Sequence, residues 1–219
     1  MSDERPGHDL PDSRGRSGLH LTGRDLTGNP GVRIRDVEVT SDGWHVLRRT
    51  TFDYRGRDGE WTRLARETYD RGNGATVLLY DPVGRTLLLS RQFRFPAYVN
   101  GHPDGLLVES AGGLLEGDSA EEAIRREAEE ELGVRIGALA HLFDLYMSPG
   151  SVTERVHFYA APYVPGEIVG GGGLEDEGEE IEAVVVPYHE ALGMVADGRI
   201  ADGKTVILVQ WAALTLFGA

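Results

Sequence analysis

Residues 112–134 read GGLLEGDSAEEAIRREAEEELGV. Ser119 followed three positions later by Glu122 is a capping-box pattern, so a helix is expected to begin near Ala120. Gly133 supplies its stop. Ala123, Ile124, Ala128 and Leu132 fall at helical spacing and form an apolar stripe. The other face is overloaded with acid. Glu127 lies three residues from Glu130 and four from Glu131, so the three share a face. Like charges so placed cost roughly 0.2–0.5 kcal/mol per pair. Glu130 and Glu131 also sit at the negative end of the helix dipole. A solvated face relieved by Arg126 is the plain explanation. The chemical one is a site for a hard divalent cation, which takes oxygen ligands and uses one or two carboxylates beside phosphate oxygens.

Outward from this helix the pattern is mixed. Residues 1–33 are rich in Gly, Asp, Ser and Arg without apolar periodicity, and a mobile tail is expected there. Residues 34–72 hold IRDVEVT, WHVLRRTTFDY and WTRLARETYD between the turn signals SDG and RGRDGE, which predicts three antiparallel strands. Within residues 73–217, ATVLLYD and TLLLSRQF flank a DPVG turn and read as a hairpin. GLLVES, RIGALAHLFDLYMS, RVHFYAAPYV and IEAVVVPY read as further strands, and PYHEALGMVADGRI and DGKTVILVQWAALTLF as helices, the second capped by Asp202. Strands mixed irregularly with few helices point to an α+β fold with a mixed sheet.

Composition excludes several functions. The net charge of −14 argues against a general nucleic-acid binder. No apolar run approaches the ~18 residues of a membrane span, and the first residues show no signal-peptide core. The chain has no cysteine, so thiolate metal sites and disulfides are out and a cytoplasmic setting is expected. His102, His141 and His157 show no ligand spacing and carry no assigned chemistry.

The acidic stretch resembles the Nudix box, G-x5-E-x7-R-E-U-x-E-E-x-G-U with U apolar. Gly112 takes the first glycine, and Arg126, Glu127, Ala128, Glu130, Glu131, Gly133 and Val134 fill the later positions. Asp118 stands where that pattern has Glu. The resemblance implies an α/β/α sandwich with a mixed sheet, preceded by a small antiparallel sheet. It also implies hydrolysis of a nucleoside diphosphate linked to another group, with Mg²⁺ or Mn²⁺. Glu127 and Glu131 would be the main metal ligands, with Glu130 and the Gly112 carbonyl as further ones, and Arg126 would hold the glutamates.

Outside the box, YDRGNGATVLLY, RQFR, VNG, LLVES, LFDLYMSPGSVTERVHF, GGGGLEDE and DGKTV are similar to the nucleotide-sugar branch of that family, the GDP-mannose and ADP-ribose pyrophosphatases. Pro149, sixteen residues after Gly133, fits that branch. The resemblance implies that Glu177 is a loop acid at the metal and the base for water, with Asp176 beside it. It implies substrate contacts at Trp44, Arg66, Glu67, Arg94, Gly113, Leu114, Glu154 and Lys204, and a homodimer paired through the N-terminal sheet. A GDP-mannose hydrolase is expected. An ADP-ribose hydrolase is the alternative, and a non-catalytic nucleotide-sugar sensor is a third reading that the intact box glutamates disfavour.

Overall fold

A computed structural model of the chain describes residues 14–21, 26, 28–168, 172–173 and 180–218. The chain divides into two units, Met1–Asn73 with Leu114–Gly117 and Tyr146–Arg155, and the remainder.

The first unit is built on β1 (Val32–Asp42), β2 (Val46–Arg55) and β3 (Trp61–Asp70), an antiparallel sheet in the order β1-β2-β3. Alternation along β2 turns Val46, Arg48 and Thr50 inward, each at 5% exposure or less. Arg48 is the unexpected member. Its guanidinium donates to Asp70 Oδ2 and to His20 Nδ1. Asp70 accepts further bonds from Ser17 N (2.8 Å), Ser17 Oγ (2.7 Å) and Thr153 Oγ1 (2.9 Å). Residues 14–21 lie in the stretch expected as a mobile tail, yet Ser17 and His20 are tied to this buried ion pair. The physical reason is that a buried carboxylate and guanidinium both need their remaining hydrogen-bonding positions filled, and composition does not disclose such a partner. A bridge between Tyr69 and Val152 brings the Ser148–Thr153 turn onto β3.

The second unit holds a seven-stranded mixed sheet. Its main path is β10 (Ile181–Pro187), β5 (Thr86–Phe93), β4 (Gly74–Asp81), β9 (Arg155–Pro162) and β8 (Ala140–Tyr146). β6 (Leu106–Glu109) pairs with β5, and β7 (Ala111–Leu114) with β4. β4 and β9 run parallel and the β4–β5 and β5–β10 pairs antiparallel. The run of buried residues from Gly74 to Leu79 marks β4 as a strand covered on both faces. The helices α1 (Phe95–Val99), α2 (Ala120–Leu132), α3 (Tyr188–Asp197) and α4 (Gly203–Thr215) complete the α/β/α sandwich.

The helix expected from Ala120 has the bounds and caps its sequence encodes. Ser119 Oγ accepts from Glu122 N, the Glu122 side chain accepts from Ser119 N, and Gly133 is left-handed at φ 65°. Ala123, Ile124, Ala128 and Leu132 are fully buried. Asp202 caps α4 by accepting from Thr205 N at 2.9 Å. Among the described residues, α1, which is one short turn containing Pro96, a 3-10 turn at Pro165–Glu167, and β7, whose Ala-Gly-Gly core carries no strand propensity, escaped the sequence reading.

Candidate active site

The acidic face of α2 is organised by one arginine. Arg126 Nη1 donates to Glu127 Oε1 at 3.1 Å and to Glu130 Oε2 at 3.4 Å, and its Nε lies 3.6 Å from Asp118 Oδ2. Asp118, the one departure from the box pattern, therefore acts on Arg126 from the loop before the helix. Glu129 pairs instead with the exposed Arg135 and is a surface charge. Glu131 is 4% exposed, a carboxylate placed among the apolar residues of the inner face. Its charge acts on Arg94, whose pKa it helps to raise.

β7 brings the loop backbone to the same place. A Cβ added to Gly113 would lie 2.4 Å from the Glu127 carboxyl carbon, so only hydrogen leaves room for that carboxylate. A Cβ at Gly112 would meet the Ala75 carbonyl oxygen at 2.6 Å, which fixes β7 tight against β4. At the far end of α2, Gly172 N donates to the Glu131 carbonyl at 3.0 Å and Gly173 N to the Glu130 carbonyl at 3.3 Å. Gly172 and Gly173 thus satisfy carbonyls that the helix end leaves open. Asp176 and Glu177 lie outside the described residues. The donor set of Glu127, Glu130, Glu131 and backbone carbonyl is all oxygen, which fits a hard divalent cation. The cradle at Gly113 holds one of those carboxylates in place for it.

Arg94 and Lys204, expected to meet substrate, already have acidic partners in the same unit. Arg94 Nη2 donates to Glu109 Oε2 at 2.8 Å, with Nε shared across both Glu109 oxygens. Burial alone would push the Arg94 pKa down, but the bonds to Glu109 and the charges of Glu109, Glu131 and Asp202 raise it. Arg94 lines a cavity of about 830 Å³ with Arg91, Phe93, Glu180 and Glu182, within the range of small-molecule sites. Lys204 Nζ donates to Asp202 Oδ1 at 2.6 Å. Burial pushes the Asp202 carboxyl up, and Lys204 together with the Thr205 donors brings it below its ordinary value. Glu109, 3% exposed, was missed from sequence. Its signal is a charged residue closing the otherwise apolar LLVE strand.

In the first unit, Arg66 and Glu67 stand exposed on β3 and line a groove of about 530 Å³ with Tyr146, Pro149 and Thr153. Trp44 is 72% exposed, with the Arg14 guanidinium 6.0 Å from its ring. An aromatic that serves packing would be covered, so this ring is open to stacking. Glu154 is 3.4 Å from Arg71 Nε. Leu114 closes β7.

Residues 31–69 match the GDP-mannose pyrophosphatase NudK N-terminal domain, and residues 70–208 match the NUDIX domain. The chain is 50% identical over 186 residues to a GDP-mannose pyrophosphatase of Yersinia enterocolitica, covering 84% of this chain and 96% of that protein. It is 49% identical to the GDP-mannose pyrophosphatase of Yersinia pestis, covering 85% and 94% of the two chains. For that of Pectobacterium atrosepticum the identity is 48%, with 84% and 94% covered. With the NUDIX domain matched over residues 70–208, more than half of the chain, the chain belongs to the Nudix hydrolase family.

Proposed function

We propose that the protein hydrolyses GDP-mannose to GMP and mannose 1-phosphate with Mg²⁺, as a cytoplasmic homodimer. The observation that carries this reading is the carboxylate face of α2, with Glu127 seated on the glycine backbone of β7 and gripped by Arg126. The choice of sugar and base is supported by relatives named GDP-mannose pyrophosphatase that match along nearly their full length. The lack of cysteine suits a reducing compartment.

Glu127 and Glu131 would hold the cation, with Glu130 and the Gly112 carbonyl beside them. Bound there, a divalent ion neutralises the pyrophosphate and lowers the pKa of the attacking water. The chain's own residues do the rest. Arg126 fixes the glutamate rotamers, a role whose loss costs about 10–100-fold in comparable metal sites. Arg94 shares its guanidinium between Glu109 and a phosphate oxygen, and its planar fork suits both. Trp44 stacks on the base, Arg66, Glu67 and Glu154 contact the nucleotide and sugar, and Gly113, Leu114 and Lys204 complete the substrate's surroundings. Asp176 and Glu177 would serve the metal side, with Glu177 the base for water.

Two measurements test this. Chromatography of the Mg²⁺ reaction should show GMP and mannose 1-phosphate in equal amounts, and none with EDTA; release of GDP and free mannose would overturn it. Gly113→Ala is expected to lower kcat by about 10²-fold, because an added methyl displaces Glu127 and an ~1 Å misplacement can cost that much. Its melting temperature should stay near wild type, since a flexible side chain absorbs the clash. An unchanged kcat would remove Glu127 from the metal site.

A further inference from the structure

Three side chains on β8 and β9 form a cluster unrelated to the acidic helix by its chemistry. His141 Nε2 lies 2.7 Å from Asp144 Oδ1, and His157 Nδ1 lies 2.8 Å from the same oxygen. One ligand atom from each residue falls within 4.8 Å of the other two. We propose that His141, Asp144 and His157 form a second metal site, selective for a borderline divalent transition ion such as Zn²⁺.

The donor set carries the argument. Two imidazole nitrogens and one carboxylate oxygen are the ligands of zinc and its neighbours, whereas Mg²⁺ demands oxygen and retains its water. The α2 site offers oxygen only, so the two sites sort different ions. The three ligand atoms, within 4.8 Å of one another, need a modest rearrangement. Zinc binds nitrogen and oxygen at about 2.0–2.2 Å, which in a tetrahedron sets ligands about 3.3 Å apart. The two contacts on Asp144 therefore need to open by about half an ångström. The His141 and Asp144 side chains, at 50% and 32% exposure, have room to make that shift. Tyr159 already steadies the His141 ring from its edge, with centroids 5.2 Å apart. Among the described residues Asp144 accepts hydrogen bonds only from the two imidazoles, so no lysine or arginine competes for its charge. Three protein ligands leave a fourth position open to water or a small anion, as in zinc sites that are not purely structural.

The test uses the full chain, stripped with EDTA and then held in millimolar Mg²⁺ to occupy the oxygen site, and titrated calorimetrically with ZnCl₂. The expected result is uptake of a single Zn²⁺ per chain, weakening as the buffer is made acid because ligation releases protons. His141→Ala and, separately, His157→Gln should each weaken that uptake by ~100-fold or more, since even an outer partner of a metal ligand is worth about 10–100-fold. Glu127→Gln should leave it unchanged. Co²⁺ gives a second readout, an intense visible band in wild type that the histidine variants lack. No zinc uptake in Mg²⁺, equal uptake by the well-folded histidine variants, or loss of uptake in Glu127→Gln would each overturn the proposal.

Discussion

Glu127→Gln and Glu131→Gln are each expected to lower kcat/KM for the nucleotide sugar by about a thousandfold or more. The amide keeps the shape of the side chain but removes the charge that holds the cation. A metal ion contributes several kcal/mol of transition-state stabilisation, and each 1.36 kcal/mol is tenfold in rate. The same variants separate a metal role from a structural one. In wild type, Mg²⁺ should raise the melting temperature, because it binds the native state and relieves the repulsion along α2. In both variants that rise should shrink or vanish, although the fold persists. Glu129→Gln is the control. Its carboxylate pairs with Arg135 at the surface, so activity and Mg²⁺ response should both stay at wild-type values. A thousandfold loss in Glu129→Gln, or full activity in Glu127→Gln, would reassign the site.

The largest expected effect on stability lies elsewhere, at Asp70. Asp70→Asn should lower the melting temperature by about 10 °C or more. The substitution strands Arg48, whose side chain is 0% exposed and whose Nη2 already lacks a hydrogen bond among the described residues. Breaking a buried ion pair by removing one partner costs about 3–5 kcal/mol, and each kcal/mol moves the midpoint of a chain this size by about 2–4 °C. Replacing both partners, as Arg48→Met with Asp70→Leu, should recover only part of the loss. The Ser17 and Thr153 donors would still lose their acceptor. The pH dependence follows from the same contacts. Burial pushes the Asp70 carboxyl up, and the bonds from Ser17, Arg48 and Thr153 more than offset this, so its pKa is lowered. A depressed carboxylate stabilises fully above its unfolded value of about 3.9 and loses that contribution as pH falls through the lower folded value. Thermal melts between pH 7 and pH 3 should therefore show wild type losing stability steeply below about pH 4, and Asp70→Asn losing less over the same interval.

What was legible in the sequence is what local chemistry encodes. The bounds of α2 could be read because Ser119, Glu122 and Gly133 act on their own neighbours, and the cap of α4 because Asp202 acts on Thr205. The carboxylate face could be read because helical spacing of three and four is itself a statement of proximity. Contacts between elements were not legible. Nothing around RQFR reveals that Arg94 lies against Glu109, fifteen residues away on the paired strand β6. The histidine cluster was hidden twice. Three-residue spacing on a regular strand puts His141 and Asp144 on opposite faces, which argues against their meeting, and His157 comes from another strand. The tie between Ser17 and Asp70 was concealed by a composition that reads as a mobile tail, because one buried carboxylate needs few partners and these can come from any segment.

Whether the α2 glutamates serve GDP-mannose hydrolysis is decided by one comparison of rates. With the pure protein in Mg²⁺, kcat/KM is measured side by side for GDP-mannose and ADP-ribose. The value for GDP-mannose is expected to be the larger, with both activities lost in Glu127→Gln. A larger value for ADP-ribose would contradict it.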